Sequence, residues 1–209
     1  MLGALLVLLQ ASKLAQMNNE QLDKLGIGHE WLEPLNETFE KYEINTPKRQ
    51  ACFIGQCMHE SGGFKILQEN LNYSAAALMR TWPSRFPDLD TADKYAHNPL
   101  MIASKVYLGR MGNTTPEEAG KYIGRGLIQL TGKENYENCG VGIGVDLLGH
   151  PDWLATPKYA ALSAGWFWNK KGLNALVDDI ETMTKRINGG TIGLDDRKAK
   201  INMALNALS

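Results

Sequence analysis

Residues 46–63 read TPKRQACFIGQCMHESGG, and this stretch predicts a buried helix from Lys48 to about Ser61. Its opening Thr-Pro pair suits an N-cap and a first helical position, and its closing glycine pair ends the helix. Apolar residues recur along it at helical spacing. At 100° per residue, Glu60 lies about 20° from Phe53 around the helix axis. We therefore expect the Glu60 carboxyl to lie at the edge of an apolar face, partly shielded from water.

The same helical spacing recurs along most of the chain, whereas alternating strand patterns are weak. The middle of the chain, which is rich in proline between residues 83 and 99, reads as mostly loop. No internal repeat, low-complexity tract or linker interrupts residues 18–209, so we expect them to form one cooperative, mainly α unit. Further helices are predicted over residues 29–42, 100–111, 159–169 and 180–187, from about 195 onward, and in a short segment that opens at 114–117.

Composition excludes several classes of protein and site. The 209 residues are 44% hydrophobic and 22% charged, with a formal net charge of −1, so no global attraction to nucleic acid or anionic lipid is expected. Three cysteines are too few for a disulfide framework, and we expect buried reduced thiols. The four histidines show no metal-ligand spacing. We predict no metal, no cofactor and no nucleic-acid partner.

The first 17 residues carry an apolar run from Leu2 to Leu9 with no positive charge before it. This run is too short to span a bilayer and lacks the charged start of a signal peptide. We expect residues 1–17 to be an N-terminal extension or an amphipathic first helix, with a membrane-directed role as the alternative. The catalytic domain is then predicted to span residues 18–209, with no stable membrane anchor.

Two glutamates lie close together in sequence but in unlike surroundings. Glu60 adjoins apolar residues at a helix end, where partial burial favours the neutral acid. Glu69 lies in FKILQENLNYS, among polar neighbours in a predicted loop, where a carboxylate stays ionised. Cleavage of a glycosidic bond with inversion needs one carboxylic acid to protonate the leaving oxygen and a second carboxylate to activate water. The pair fits that requirement, although two glutamates alone are a weak signal.

Four motifs strengthen it, in one order along the chain: HESGGF at 59–64, ENLNYS at 69–74, GRGLIQLTG at 124–132, and INGG at 187–190. Together they resemble family 19 glycoside hydrolases, the chitinase-type fold, and within that family the bacteriophage endolysins. The resemblance covers roughly residues 20–208. It implies a mainly α, lysozyme-like fold with two lobes flanking a substrate cleft.

By this resemblance Glu60 is the general acid and Glu69 the general base. Thr131, the hydroxyl residue after IQL, corresponds to the residue that holds the nucleophilic water. A cap or turn role beside Gly132 is the structural alternative for Thr131. Arg197, in the DDR that follows INGG, corresponds to an arginine that tethers the catalytic carboxylates, and a surface charge on the last helix is its alternative.

The remaining candidates are substrate contacts by the same resemblance. Asn72 and Tyr73 match subsite residues, although they equally fit turn residues that hold Glu69. His59 is a candidate contact whose alternative is an ordinary surface position. The substrate-binding set implied by the resemblance is His59, Asn72, Tyr73, Gln129, Tyr136, Asn188 and Arg197.

The short gap between Glu60 and Glu69 lacks the long loop of plant chitinases and matches the endolysin branch. That branch hydrolyses the alternating N-acetylglucosamine and N-acetylmuramic acid glycan of bacterial peptidoglycan. We therefore expect a monomeric muramidase that waits in the host cytoplasm until a membrane-permeabilising partner releases it to the wall. A chitinase, a lytic transglycosylase and a non-catalytic wall-binding module are the alternatives, and the chain is too long for the last.

Overall fold

The computed structural model describes residues 16–209, so the predictions made for residues 1–15 lie outside the described residues. Within this part of the chain the regular structure is helical. The β pairing in residues 16–209 consists of isolated antiparallel bridges, Gln68 with Arg125 and Arg125 with Leu130. The predicted mainly α fold class is therefore confirmed.

The α-helices follow one another along most of the described chain. Three short 3₁₀ helices cover His29–Trp31, Pro151–Ala155 and Leu173–Leu176. The α-helices in chain order are α1 (Asn19–Leu25), α2 (Leu32–Lys41), α3 (Pro47–Glu60), α4 (Ala75–Thr81), α5 (Leu89–Asp93), α6 (Pro99–Tyr107), α7 (Pro116–Lys121), α8 (Lys133–Ile143), α9 (Pro157–Lys170), α10 (Ile180–Asn188) and α11 (Leu194–Leu208).

The predicted ends of α3 agree with the structure. The Thr46 side chain accepts a hydrogen bond from the Arg49 N–H, and Pro47 takes the first helical position. The helix stops at Glu60, and Ser61 caps it, so the catalytic candidate is the last helical residue. Every residue from Gln50 to Met58 is buried, because α3 is surrounded by other elements rather than lying on a surface.

The described chain divides into two compact units, in line with the two lobes predicted. Unit 1 comprises residues 16–67, 126–128 and 154–209, and unit 2 comprises residues 68–125 and 129–153. Neither unit is one continuous stretch of chain. The substrate cleft stays a prediction.

In unit 1, α3 packs along α11, and α2 packs along α9. The first contact is close because it is made at a glycine. A Cβ on Gly55 would lie 2.4 Å from Ile201 Cγ1 and 2.6 Å from the Ile201 backbone nitrogen. This contact brings the start of α11 alongside the end of α3.

Unit 2 contains α4 to α8 around a second apolar core that includes Leu78, Phe86 and Ile102. The sequence pattern missed α4 and α5, which are only 7 and 5 residues long, within the stretch predicted as loop. Each begins at a side-chain cap, Ser74 for α4 and Asp88 for α5. Helices of one or two turns are too short to show a periodic apolar face, so their caps are the main local sign of them.

Met17, predicted to end an N-terminal extension, belongs to the packed part of unit 1. Its side chain is buried, and the Asn36 side chain accepts from its backbone N–H at 2.8 Å and donates to its carbonyl at 3.0 Å. None of the helices in residues 16–209 is both long and apolar enough to cross a membrane.

The three cysteines are free thiols, and all three are buried. Burial raises the pKa of the Cys52 thiol to about 11, so it remains protonated at neutral pH. Burial also raises the pKa of Cys57. The prediction of buried, reduced cysteines is confirmed.

Candidate active site

Glu60 lies beside a buried cation in unit 1. Arg197 Nη1 is 2.6 Å from Glu60 Oε1, and the two side chains are 1% and 20% exposed respectively. The alternative of a surface charge for Arg197 is therefore wrong. Its burial also corrects its place among the substrate contacts, because a side chain enclosed on all sides reaches Glu60 and not a glycan.

Protein oxygens on three sides fix the Arg197 guanidinium. Its Nη1 donates to Gln56 Oε1 at 2.8 Å and its Nε donates to the Ile192 carbonyl at 3.0 Å. Gln56 lies one turn before Glu60 on α3 and itself donates to Thr184 Oγ1 at 3.2 Å. The contact with Glu60 is an ion pair without hydrogen-bond alignment, and among the described residues Glu60 Oε1 has no hydrogen-bond donor. A negative charge on Glu60 is balanced there, and Oε1 keeps acceptor capacity.

The neighbouring residue, His59, is bound to the same part of α11. Its Nδ1 lies 2.5 Å from Asp196 Oδ2, and Asp196 also pairs with Lys200 at 2.6 Å. Hydrogen bonds from Lys200 and His59 hold the pKa of Asp196 below its usual value. Two adjacent residues of α3, a base and an acid, thus face the adjacent Asp196 and Arg197 of α11. Partial exposure of the His59 ring leaves its predicted substrate contact open.

Glu69 lies in unit 2, where hydrogen-bond donors meet both of its oxygens. The Gly124 backbone N–H donates to Oε1 at 2.7 Å, and the Tyr107 hydroxyl donates to Oε2 at 2.9 Å. The Glu69 N–H in turn donates to the Gly124 carbonyl at 2.9 Å. Burial, and then the nearby Glu69 charge, raise the pKa of Tyr107 well above its usual value. Tyr107 therefore keeps its proton and remains a donor to Glu69 Oε2.

Gly124 brings three polar side chains to one point. A Cβ built on it would lie 3.1 Å from Gln129 Oε1, 3.1 Å from Thr131 Oγ1 and 3.4 Å from Glu69 Cδ. Gln129 takes a left-handed backbone conformation, with φ of 54°. The close packing at Gly124 therefore gathers Glu69, Gln129 and Thr131 in one part of unit 2.

The Thr131 hydroxyl donates to the Gln129 carbonyl at 3.0 Å. This is the local turn contact of the structural alternative. A hydroxyl that donates one hydrogen bond still has lone pairs that can accept another from water. The turn contact thus orients the hydroxyl without using its acceptor capacity, and the two interpretations of Thr131 are compatible.

Tyr136 requires a correction, because its side chain is 0% exposed and cannot contact substrate. Its hydroxyl donates to the Ile123 carbonyl at 2.5 Å and accepts from Arg125 Nη1 at 3.0 Å. Burial raises the pKa of Tyr136 to about 12. Arg125 also donates to Gln68 Oε1 at 3.0 Å, next to Glu69. Tyr136 therefore holds the Ile123 carbonyl and the Arg125 side chain, which flank Gly124, from inside unit 2.

The other predicted contacts retain accessible surface. Asn72 is exposed, and its Oδ1 lies 2.8 Å from His97 Nδ1. The Tyr73 ring is half-buried against Trp82, and its carbonyl accepts from the His97 N–H at 2.8 Å. Asn188 is exposed at the end of α10. The bonds to His97 show that Asn72 and Tyr73 shape this loop.

A family model described as chitinase class I, of glycoside hydrolase family 19, matches residues 39–175. This chain belongs to glycoside hydrolase family 19. The family is one of glycosidases, and the matched range includes Glu60, Glu69 and Thr131. Arg197 and Asn188 lie beyond it.

Known family 19 proteins are similar over most of the chain. A Haemophilus influenzae protein with a family 19 glycosyl hydrolase domain is 41% identical over 167 residues, which cover 78% of this chain and 82% of that protein. An endochitinase of Arabidopsis thaliana is 32% identical over 157 residues, which cover 74% of this chain and 44% of the plant protein. The chain thus spans less than half the length of the plant enzyme.

The solved structure of chitinase C from Streptomyces griseus has the same fold. It superposes with a TM-score of 0.63 at 18% identity, covering 93% of this chain and 92% of that one. This likeness confirms the mainly α, lysozyme-like fold class.

Four residues that build the two sites were missed by the sequence analysis. Tyr107 and Asp196 gave no motif signal, because each meets its partner only through folding. Gln56 was detectable, since it precedes Glu60 by four residues on the same helical face. Gly124 was quoted within its motif, but its contacts with Glu69, Gln129 and Thr131 were not predicted.

Proposed function

We propose that this chain is an endolysin of the bacteriophage branch of family 19, which hydrolyses β-1,4 bonds of bacterial peptidoglycan with inversion. The observation that carries this proposal is that different kinds of group surround the two carboxylates. Glu60 faces one buried cation and keeps open lone pairs, whereas both oxygens of Glu69 accept hydrogen bonds. The fixed cation stabilises the charge that Glu60 gains when it gives up its proton, and the donors around Glu69 suit a carboxylate that acts as a base.

In this mechanism Glu60 donates its proton to the glycosidic oxygen as the bond to the anomeric carbon breaks. Glu69 takes a proton from a water that attacks that carbon from the opposite face. The attacking water donates its other hydrogen to Thr131 Oγ1, which has acceptor capacity left. Inverting enzymes hold the two carboxyls about 6.5–9.5 Å apart around the substrate.

Arg197 has a definite task in this sequence. Glu60 becomes negatively charged as its proton leaves, and the fixed guanidinium lies 2.6 Å from the oxygen that carries this charge. Charge that develops in the transition state is best stabilised by groups already in position. Gln56 and the Ile192 carbonyl hold Arg197 there before the reaction begins.

The short segment after Glu60 supports peptidoglycan as the substrate. The chain turns back at once, with the Ile66 N–H donating to the Ser61 carbonyl at 2.8 Å and the Gly63 N–H donating to the Met58 carbonyl at 2.8 Å. A glycan with peptide branches needs more space than chitin does, and a compact turn takes up little of it. As part of this proposal, the enzyme acts as a monomer and stays in the host cytoplasm until a membrane-permeabilising partner gives it access to the wall.

Chitin hydrolysis is the second candidate function, because the Arabidopsis relative is an endochitinase. The same carboxylates would perform it. Only the groups that accommodate or recognise the peptide branches would distinguish the two substrates.

Mass spectrometry of the fragments released from purified peptidoglycan tests the proposal. Hydrolysis predicts saccharides with free reducing ends, and proton NMR of the fresh product should show the anomer opposite to the bond cleaved. Anhydro-sugar products would identify a transglycosylase, and free peptides an amidase. Cleavage of chitin oligosaccharides with no release from peptidoglycan would establish the chitinase instead.

A further inference from the structure

Two neighbouring grooves of unit 2 have α6 as a common wall. The first, of about 440 Å³, is lined by Glu69 itself together with Leu100, Ala103 and Ile123. The second, of about 580 Å³, lies on the next face of the helix and is lined by Met101, Lys105 and again Leu100. Leu100 therefore stands between the catalytic base and the second groove.

The second groove combines exposed apolar side chains with two cations. Leu100 is 64% exposed, Met101 41% and Leu108 39%, which is unusual for residues gathered in one place. Arg85 and Lys105 lie among them. No described carboxylate forms an ion pair with either cation, whereas Lys133, elsewhere in unit 2, pairs with Glu118.

Both cations are held in place. Arg85 Nη1 donates to the Lys105 carbonyl at 3.1 Å, which ties the turn after α4 to α6. Lys105 Nζ lies 5.1 Å from the centre of the Tyr95 ring and 5.8 Å from that of Phe86, so cation–π contacts restrain the ammonium. The groove thus presents positive charge next to apolar surface, which suits an acidic ligand with small apolar groups.

We propose that this groove binds the acidic stem peptide of peptidoglycan while the glycan lies at Glu69. The inference rests on the proposed function. A lactyl-linked peptide begins on the sugar, where the first groove contains the catalytic base, and its alanine methyls match the apolar wall. Its free carboxylates match Arg85 and Lys105.

The length of the peptide is sufficient. An α-helix with its side chains is about 10 Å across. An extended peptide covers at most about 3.3–3.6 Å per residue, so four residues span about 13 Å. A stem peptide attached near Glu69 therefore reaches across α6 to the cations.

The test compares two substrates prepared from the same wall: intact peptidoglycan, and glycan strands stripped of their peptides with an amidase. The variant replaces both cations, Arg85→Gln with Lys105→Gln. We expect the ratio of kcat/KM on intact wall to kcat/KM on stripped glycan to fall about tenfold, chiefly through KM, as for the loss of charge-assisted contacts. A matched control, Lys41→Gln with Lys198→Gln, removes the same charge from exposed positions of unit 1 and should keep the wild-type ratio.

A second measurement uses the wild-type enzyme and does not depend on the variant folding. Free stem peptide should inhibit hydrolysis of intact wall, and the same peptide with its carboxylates amidated should not. An unchanged substrate ratio in a folded variant, or equal inhibition by both peptides, overturns the stem-peptide site while leaving peptidoglycan hydrolysis in place. If the wild-type enzyme cleaves neither wall substrate but cleaves chitin oligosaccharides, the proposed function fails and this site fails with it.

Discussion

The Glu60 side chain exposes 20% of its surface, and its charged neighbour Arg197 is almost fully enclosed. Replacing a carboxyl by an amide at this position alters two properties at once. The amide has no proton of suitable acidity to donate, and it leaves Arg197 without its counter-charge. A buried cation that loses its partner lowers the free energy of unfolding.

We therefore expect Glu60→Gln to lower hydrolysis per folded molecule by about 10²–10⁴-fold, the usual contribution of general acid catalysis. The melting temperature should fall as well. Product release by mass spectrometry, normalised to the folded fraction from circular dichroism, measures the first effect. Glu40→Gln, at an exposed position of α2, is the matched control. Wild-type turnover by folded Glu60→Gln protein would remove Glu60 from the mechanism.

Thr131 is expected to act through its hydroxyl rather than its shape. Thr131→Ser should keep substantial activity, whereas Thr131→Val preserves the volume but no longer accepts a hydrogen bond from the attacking water. The loss should appear in kcat more than in KM. A lower melting temperature with normal turnover of the folded Val variant would show that Thr131 serves only its bond to the Gln129 carbonyl.

Tyr107 is expected to position the base and keep it ionised. Tyr107→Phe removes the donor to Glu69 Oε2, so the ionised form of the base loses a hydrogen bond and takes up a proton more easily. The acidic limb of the profile of kcat/KM against pH should move to higher pH, and activity near neutrality should fall about tenfold. Tyr122→Phe is the comparison, because the Tyr122 hydroxyl donates to the Leu148 carbonyl and not to Glu69. An unmoved acidic limb would mean that Tyr107 is only a packing residue.

Candidate residues could be named from the sequence where the motif itself carries the chemistry, as at Glu60, Glu69 and Thr131, and their catalytic roles stay predictions. Candidates could not be named where the partner comes from a distant part of the chain. Tyr107 is 38 residues from Glu69, and no local periodicity relates them. Tyr136 was predicted as a substrate contact because it lies beside a functional motif. Its side chain is instead buried in unit 2.

The contact between α3 and α11 sets the position of Arg197 beside Glu60. Gly55→Ala would place a methyl group 2.6 Å from the Ile201 nitrogen and 2.7 Å from its Cα, where backbone cannot move aside cheaply. Within a helix, alanine is otherwise favoured over glycine by about 1 kcal/mol. We nevertheless expect Gly55→Ala to destabilise by about 1–3 kcal/mol in urea denaturation, because the two helices must separate.

Gly190→Ala is the control for that experiment, since the nearest atom to its added methyl group is 3.9 Å away. Activity should also fall in Gly55→Ala, because Arg197 is carried on the displaced helix. If Gly55→Ala is as stable as the wild type, the α3–α11 contact has room for a methyl group.

At the scale of elements, the sequence predicted most of the long helices but missed α8, which is 11 residues long, as well as the short α4 and α5. The helix containing Glu60 has both an apolar face and clear end signals. By contrast, α4 and α5 rest on capping and on the core of unit 2 rather than on their own periodicity. The prediction of loop in this part of the chain was therefore wrong for α4 and α5, because these short helices depend on tertiary packing.

The three buried cysteines allow unfolding of the whole molecule to be followed, because a buried thiol can be alkylated only after its surroundings unfold. Cys52 and Cys57 lie in unit 1 and Cys139 in unit 2, and all three are buried. Because the chain passes between the units more than once, we expect them to unfold together, as predicted for one cooperative domain. Alkylation read by peptide mass spectrometry across a urea series should then give one midpoint for all three thiols. Separate midpoints for Cys139 and the other two would contradict cooperative unfolding.

The crowding around Gly124 bears on how other chains of this kind are interpreted. Even a methyl group there would lie 3.1 Å from Gln129 Oε1 and from Thr131 Oγ1, so both side chains would have to move by a few tenths of an ångström. A homologue could keep both glutamates and still carry valine or leucine at this position. We expect such a chain to keep its fold but to displace the Thr131 hydroxyl from the position proposed to hold the attacking water. Such a chain should be assayed for sugar binding as well as for cleavage before it is grouped with the hydrolases.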